Sequence, residues 1–424
     1  MAAKFPINWS DTQPRLFTAV AGMAGFCAYF AMYAFRKPIA AGHFNHVAGW
    51  DFAVDFKTSL LIAQIVGYAL AKFIGIKMIA EIGRQGRGAA IIGLITSSWI
   101  ALCLFAVTPA PWSVIWLFAN GLMLGMIWGL VFSFMEGRRV SEVLGAILCA
   151  SFIVSSGVVK QIGAQLLRSG VREAWMPAAT GILFFPLLLL AVWVLTQLPP
   201  PSATDEEART VRAPMRATER MAFLREHGAA LVLLVVGYVL LTALRDFRDN
   251  FAAEIWAALG FGKDPAMFSA SELPIGVIVL GVLGALVYIR DNRRALLVMH
   301  GVIIGGAALL AGATLAFQFA LLSPLLWMIL TGAGLYFGYA PFNAMLFDRM
   351  IAALGRSGNA GFLIYIADAA GYTASVGLQI YRSVGAPRVA WVSFFTTACY
   401  VTAAAVGALT LVSALMFLTK EQYD

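Results

Sequence analysis

Long apolar stretches alternate with short charged turns along the whole chain. They lie near 16–42, 56–82, 88–108, 112–136, 141–168, 175–198, 228–259, 269–290, 294–320, 323–349, 355–383 and 389–418. Each reaches roughly the 20 residues that a helix needs to cross a hydrocarbon core of about 30 Å. The pattern predicts an all-α membrane protein with twelve transmembrane helices. Its clearest interruption is Pro199–His227, which opens on three prolines and runs through Asp205-Glu206-Glu207 into Arg-rich sequence. That segment reads as a cytoplasmic linker between two six-helix halves, 1–198 and 228–424. The polar leader Met1–Pro14 runs straight into a full-length span, unlike a short cleavable signal.

Composition agrees: 61% of the 424 residues are hydrophobic, 12% are charged and the mean hydropathy is +0.82. No soluble domain of this length manages with so little polar surface. The net charge of +8 could suggest nucleic acid, but its placement points to topology instead. Arg84, Arg87, Arg138, Arg139, the connector residues Arg209, Arg212, Arg216, Arg220 and Arg225, then Arg290, Arg293, Arg294, Arg349, Arg356 and Lys420 all fall in connections on one side. The positive-inside rule makes that side cytoplasmic, with both termini there, in a bacterial-type inner membrane. The lipid bilayer is therefore a partner and nucleic acid is not. Cys27, Cys103, Cys149 and Cys399 lie inside apolar spans without metal spacing, so packing is their expected role.

A few basic residues sit where lipid makes charge expensive: Arg36, Lys37, Lys72, Lys160, Arg245 and Arg248. Such residues face a partner or a wet cavity. Several cations lining one cavity suit a small anion. Tyr29, Tyr33 and Arg36 are spaced i, i+4, i+7, which puts them on one helical face, and guanidinium forks with phenol hydroxyls suit phosphate or carboxylate oxygens. The competing structural reading is an i, i+4 pair of Arg245 with Asp249. Lys37 is expected to snorkel to the outer interface, with Lys57 and Lys77 interfacial too. Lys160 is weighed between a ligand or gating role and snorkelling.

Asp246, Asp249 and Asp368 are candidate proton carriers, with salt-bridge partnership as the alternative. An arriving anion could draw a cation away from such a carboxylate and raise its pKa. Glu81 with Arg84 and Arg87, and Glu136 with Arg138 and Arg139, are charges at helix ends expected to act in conformational change. His43, His46, His227 and His300 show no metal spacing and are expected in loops or at helix ends. No nucleophile–base constellation and no phosphate-binding glycine loop appears, so no enzyme, no cofactor and no metal is expected. Gly121, Gly125 and Gly129 form a small-residue stripe suited to close helix packing.

Tyr29-Phe-Ala-Met-Tyr33-Ala-Phe-Arg36-Lys37 resembles the first helix of the organophosphate:phosphate antiporter family of the major facilitator superfamily. Tyr68-Ala-Leu-Ala-Lys72-Phe73 is similar to its second helix, and Arg245 stands where the family has its second arginine. Glu272 matches an acidic residue near the outer end of helix eight. The resemblance implies the major facilitator fold and a phosphate group held by Arg36 and Arg245, with Lys72, Tyr29, Tyr33 and Tyr68 in support. The family's helix-five histidine is missing here, and Val154 falls near its place. Arg248, Asp246, Asp249 and Asp368 also depart from the family pattern.

The expected function is secondary active transport of a small organic anion, a phosphate ester or phosphonate, by alternating access in a monomer. Inorganic phosphate in antiport is the coupling partner that the family implies; protons are the alternative. Two rival readings remain, a carboxylate or sulfonate transporter and a transporter-like membrane sensor.

Overall fold

A computed structural model describes residues 9–45, 47–207, 217–353 and 361–420. Arg209, Arg212, Arg216, Arg356 and His46 lie outside the described residues, as do the side chains of Glu81, Lys77, Arg220, Arg225, His227 and Lys420. Among the described residues the chain forms helices α1 (Trp9–Thr12), α2 (Pro14–Tyr33), α3 (Phe56–Glu81), α4 (Arg87–Val107), α5 (Val114–Leu124), α6 (Ile127–Phe132), α7 (Ser141–Arg168), α8 (Met176–Gln197) and α9 (Ala203–Glu207). Then follow α10 (Ala217–Asn250), α11 (Ala252–Ala258), α12 (Ala266–Val287), α13 (Asn292–Gln318), α14 (Pro324–Ala344), α15 (Leu346–Ala353), α16 (Gly361–Ile380) and α17 (Trp391–Lys420). Among the described residues eleven helical stretches are long and apolar enough to cross a membrane, α5 and α6 together counting as one. The 20-residue α16, which carries Asp368, occupies the remaining expected span.

The chain divides into two compact units. The first comprises residues 1–209 with 249–276 and 379–387; the second comprises 210–248, 277–378 and 388–424. In the first, α2 packs on α7 and α8, and α4 on α5 and α8. Helices α3 and α5 approach closely because their contact is made of glycines. A Cβ on Gly121 would stand 2.1 Å from the Gln64 carbonyl oxygen, and one on Gly67 2.1 Å from that of Phe118. In the second unit, α13 packs on α14 and α17.

The first span ends earlier than its apolar run. Helix α2 stops at Tyr33 and tightens into i→i+3 bonds, Arg36 N–H donating to the Tyr33 carbonyl at 3.0 Å. Pro38 has no N–H to continue an α-helix and opens a 3₁₀ turn, Pro38–Ala41. The carbonyls so released cannot be left bare in a membrane. Asn120 Nδ2 donates to the Phe35 carbonyl at 3.0 Å and Gln64 Nε2 to that of Arg36 at 3.2 Å, while Gln64 and Asn120 bond each other at 2.7 Å. Lys57 Nζ takes the Ala40 carbonyl at 3.0 Å. Three polar residues on neighbouring helices thus fix the turn that carries Arg36 and Lys37.

Candidate functional site

In the first unit that turn presents Arg36, 7% exposed, to an aromatic wall. Its guanidinium carbon lies 3.9 Å from the Tyr68 ring centroid and 5.9 Å from that of Tyr33. Tyr29 and Tyr68 share a hydrogen bond at 3.2 Å between their hydroxyls. Lys72, half-buried, has its ammonium 5.7 Å from the Tyr68 ring. Trp128 meets Tyr29 edge-on at 5.0 Å, and Phe152 stacks on Tyr33 at 6.4 Å. Arg36, Lys72, Tyr29, Tyr33 and Tyr68 therefore gather in one place, although Arg36 comes from the turn and not from the helical face that its spacing predicts. A cation over a π face in a desolvated site gains about 2 kcal/mol.

The neighbouring cations form a separate cluster. Lys37 pairs with Asp249, and Lys160 Nζ lies 2.6 Å from Asp249 Oδ1. Ser156 donates to the same carboxylate, and Lys37 Nζ also reaches Asn250 Oδ1 at 3.0 Å. Beside them Lys57 Nζ meets Glu254 Oε1 at 2.6 Å, with His43 Nδ1 at 3.7 Å from that oxygen. These findings correct one expectation and bear on two alternatives. Lys37 (6% exposed) and Lys57 (2% exposed) do not snorkel to an interface but are buried on carboxylates. Asp249 pairs with Lys37 and Lys160, and Arg245 pairs with Asp246 instead. Lys160, 1% exposed, does not snorkel either. Glu272 is buried in α12 where that helix crosses α7 closely, a Cβ on Gly157 standing 2.7 Å from its Cβ.

In the second unit Arg245 has its own aromatic seat, the guanidinium carbon 3.7 Å from the Tyr339 centroid. Its Nη2 donates to Asp246 Oδ1 at 2.6 Å. Tyr238 stacks on Tyr339 with centroids 5.2 Å apart and donates its hydroxyl to Asp368. Arg248, 2% exposed, donates to the Met328 carbonyl at 2.9 Å, a contact that serves the packing of α10 on α14. His300 corrects another expectation: it is buried within α13, bonding the Leu296 carbonyl at 2.8 Å and Ser413 at 3.3 Å.

The charged loops of the first unit close on the connector. Arg84 Nη2 donates to the carbonyls of Leu198 and Pro199, and Arg138 Nη2 to that of Pro199. Burial and the neighbouring Arg84 pull the Arg138 guanidinium down to about 10, against the opposing pull of Asp205. Arg87 Nη1 bonds the Ser133 carbonyl at 2.9 Å, and the Arg139 backbone N–H donates to Asp205 at 3.0 Å. Glu136 lies half-buried in the turn before Arg138. No group of three or more metal-ligating side chains occurs among the described residues.

Sequence reasoning missed Gln64, Asn120, Ser156, Asn250, Glu254, Tyr238 and Tyr339. Gln64 and Asn120 carried a usable signal, being amides inside apolar runs. The tyrosines carried none, since an aromatic in such a run reads as lipid-facing or core.

The chain belongs to the family described as "Family of unknown function (DUF5690)", which matches residues 38–420. No curated protein matches it. Among solved structures it is similar to a D-xylose-proton symporter, with a TM-score of 0.63 and 15% identity over 94% of this chain and 95% of that one. It is also similar to XylE from E. coli, a xylose transporter in a partially occluded inward-open conformation (TM-score 0.57, 14% identity, 95% and 96% covered). A third is the peptide transporter POT, a point mutant in complex with sulfate (TM-score 0.62, 12% identity, 95% and 94% covered). These likenesses establish the major facilitator fold, which the resemblance implies.

Proposed function

We propose that the protein is a secondary transporter of a small organic anion, a phosphate ester or phosphonate, which it moves across the inner membrane by alternating access. The observation that carries this reading is the repeated seat of a membrane-buried arginine on a tyrosine face: Arg36 on Tyr68 in one unit and Arg245 on Tyr339 in the other. Each arginine is a seat for an anionic group, and Lys72, Tyr29, Tyr33 and Tyr68 supply further donors beside Arg36. Charge-assisted bonds of this kind are about twice as strong as neutral ones, and low dielectric strengthens them further. The fold supports transport because its solved neighbours at low identity include a sugar–proton symporter and a peptide transporter. Division of the chain into halves at 1–198 and 228–424, with both termini cytoplasmic, belongs to the same proposal.

Asp249, clamped by Lys37 and Lys160, and Glu254, clamped by Lys57, are then conformational locks: the ion pairs hold one state and separate in another. Coupling runs through antiported phosphate or through protons.

The test is a thermal-shift screen of purified protein against phosphate, glycerol 3-phosphate, sugar phosphates, phosphonates, sulfonates and dicarboxylates. A ligand that binds only the folded state raises its melting temperature by mass action, by the equivalent of about 2.7 kcal/mol at a hundred times Kd. A phosphate-type hit that disappears in Arg36→Ala and Arg245→Ala supports the reading. Hits confined to carboxylates or sulfonates retain the site and change the substrate. Stabilisation that survives both substitutions refutes the site.

A further inference from the structure

We propose that a cavity where the connector leaves the first unit is a second anion site, distinct from the Arg36 seat, in which Arg138 holds a phosphate group. It is built wholly within the first unit and does not depend on what the protein transports.

Three stretches far apart in sequence form the cavity. Phe17 and Thr18 come from the first turns of α2, Arg138 and Arg139 from the turn before α7, and Thr204 and Asp205 from α9. The volume is about 370 Å³, within the roughly 300–1,000 Å³ of small-ligand sites. Arg138 is 6% exposed, and its guanidinium carbon lies 4.6 Å from the Phe17 ring centroid. Nη2 donates to the Pro199 carbonyl, but Nε and Nη1 have no hydrogen-bond partner among the described residues. A ring face is a weak acceptor and does not replace two such bonds. Ser10 Oγ, on the same cavity, is also buried without a partner among the described residues. Buried donors in that state are costly until something completes them.

Water can satisfy donors, but the charge of the site favours an anion. Arg84 and the exposed Arg139 add to Arg138, against the carboxylates of Asp11 and Asp205. Both carboxylates are already engaged. Asp205 accepts from the backbone N–H groups of Arg139 at 3.0 Å and Ser202 at 3.1 Å, and Asp11 from the Ser202 hydroxyl at 3.0 Å. The low value of the Arg138 guanidinium, about 10, reflects its burial first and then the Arg84 charge, both of which a bound anion offsets. The starts of two long helices add to the preference. Pro14 opens α2 and Val140 precedes α7, both lining the cavity, and neither helix has a side-chain cap. Helix N-termini of this kind favour negative charge. A guanidinium fork with free donors suits the oxygens of a phosphate. That phosphate is either soluble or the headgroup of a membrane lipid. The lipid source is open because Leu16 and Met23, exposed apolar residues seven apart, lie on the same spanning helix α2.

The experiment counts anions bound to the full-length purified protein in detergent. In one arm, equilibrium dialysis at low ionic strength measures radiolabelled inorganic phosphate. In the other, native mass spectrometry compares phosphatidic acid with diacylglycerol of the same chains. Arg138→Gln should bind one phosphate fewer than wild type, or retain one phosphatidic acid fewer, because affinity at the site falls at least about tenfold. A loss in the dialysis arm identifies a soluble phosphate, and a loss in the lipid arm alone identifies a headgroup. Counting keeps the two sites apart. If Arg36 and Arg245 bind no anion, wild type still binds one and Arg138→Gln none. Since phosphate bound here also stabilises the folded state, the thermal-shift comparison of Arg36 and Arg245 is made on Arg138→Gln protein. Should Arg138→Gln lose its melting transition, Thr204→Glu carries the test. It places a carboxylate at an exposed position on the cavity, leaves the Arg138 bond to Pro199 intact, and should weaken binding at least about tenfold. Three results overturn the site: equal counts in wild type and a folded Arg138→Gln, equal affinity in Thr204→Glu when it carries the test, or no anion on wild type in either arm.

Discussion

Asp249 is the most exacting residue to perturb, because one carboxylate serves two buried lysines. Asp249→Asn keeps the size of the side chain and removes its charge. Lys37 and Lys160, 6% and 1% exposed, then remain buried without it. Breaking a buried pair by removing one partner costs about 3–5 kcal/mol. Unfolding entropies of about 2.1 cal/mol/K per residue amount to about 0.9 kcal/mol/K over 424 residues. The melting temperature in detergent should therefore fall by about 3–6 °C. Lys160→Met leaves a one-to-one pair of Lys37 with Asp249, so it should cost less than Asp249→Asn. The double variant Lys160→Met/Asp249→Asn removes one of the stranded cations and should be more stable than Asp249→Asn alone. Coupling of this sign, about 1–3 kcal/mol in a double-mutant cycle followed by thermal unfolding, is the required result. Strict additivity of the two substitutions would refute the clamp.

Other expectations follow from single contacts. Gly121→Ala places a methyl group 2.1 Å from the Gln64 carbonyl oxygen and must force α3 and α5 apart, costing about 1–3 kcal/mol or more in thermal unfolding. Arg84→Ala with Arg138→Ala removes the donors that hold Leu198 and Pro199, each bond to a charged group contributing about 1.5–3 kcal/mol. Limited trypsin digestion should then cut the following connector at least about tenfold faster, and an unchanged rate would show that these arginines do not restrain it. Arg36→Lys keeps the charge and loses the planar fork, so anion affinity measured by calorimetry should drop by about 1–3 kcal/mol although the positive charge remains. Equal affinity would mean that Arg36 acts as a point charge.

The spans were legible because a membrane leaves a helix few options: apolar length and glycine stripes translate directly into helices and close packing. The structure does gather Arg36, Tyr29, Tyr33, Tyr68 and Lys72, but Arg36 reaches the tyrosines from the turn after α2 and not from the helical face that its spacing predicts. Partner choice was not readable. Whether Lys37 and Lys57 snorkel or bury depends on Asp249 and Glu254, which are remote in sequence and brought near by packing of the chain. Arg245 offers the same lesson at short range. Helical spacing offered Asp249 at i+4 as an alternative partner, yet the arginine turned to Asp246 and the Tyr339 ring while two lysines claimed Asp249. The early end of α2 was signalled by Pro38, but the amides that make the break tolerable, Gln64 and Asn120, acquire meaning only once α3 and α5 are placed beside it.

The most direct test of anion transport is uptake of radiolabelled phosphate or glycerol 3-phosphate into liposomes containing the purified protein. Wild type, Arg36→Ala and Arg245→Ala are compared, with and without unlabelled phosphate inside and with and without an imposed pH gradient. The account predicts saturable uptake by wild type, stimulated by internal phosphate or by the gradient, and abolished in both variants. Binding of the anion without uptake would identify a sensor, and uptake undiminished in either variant would contradict the two-arginine account.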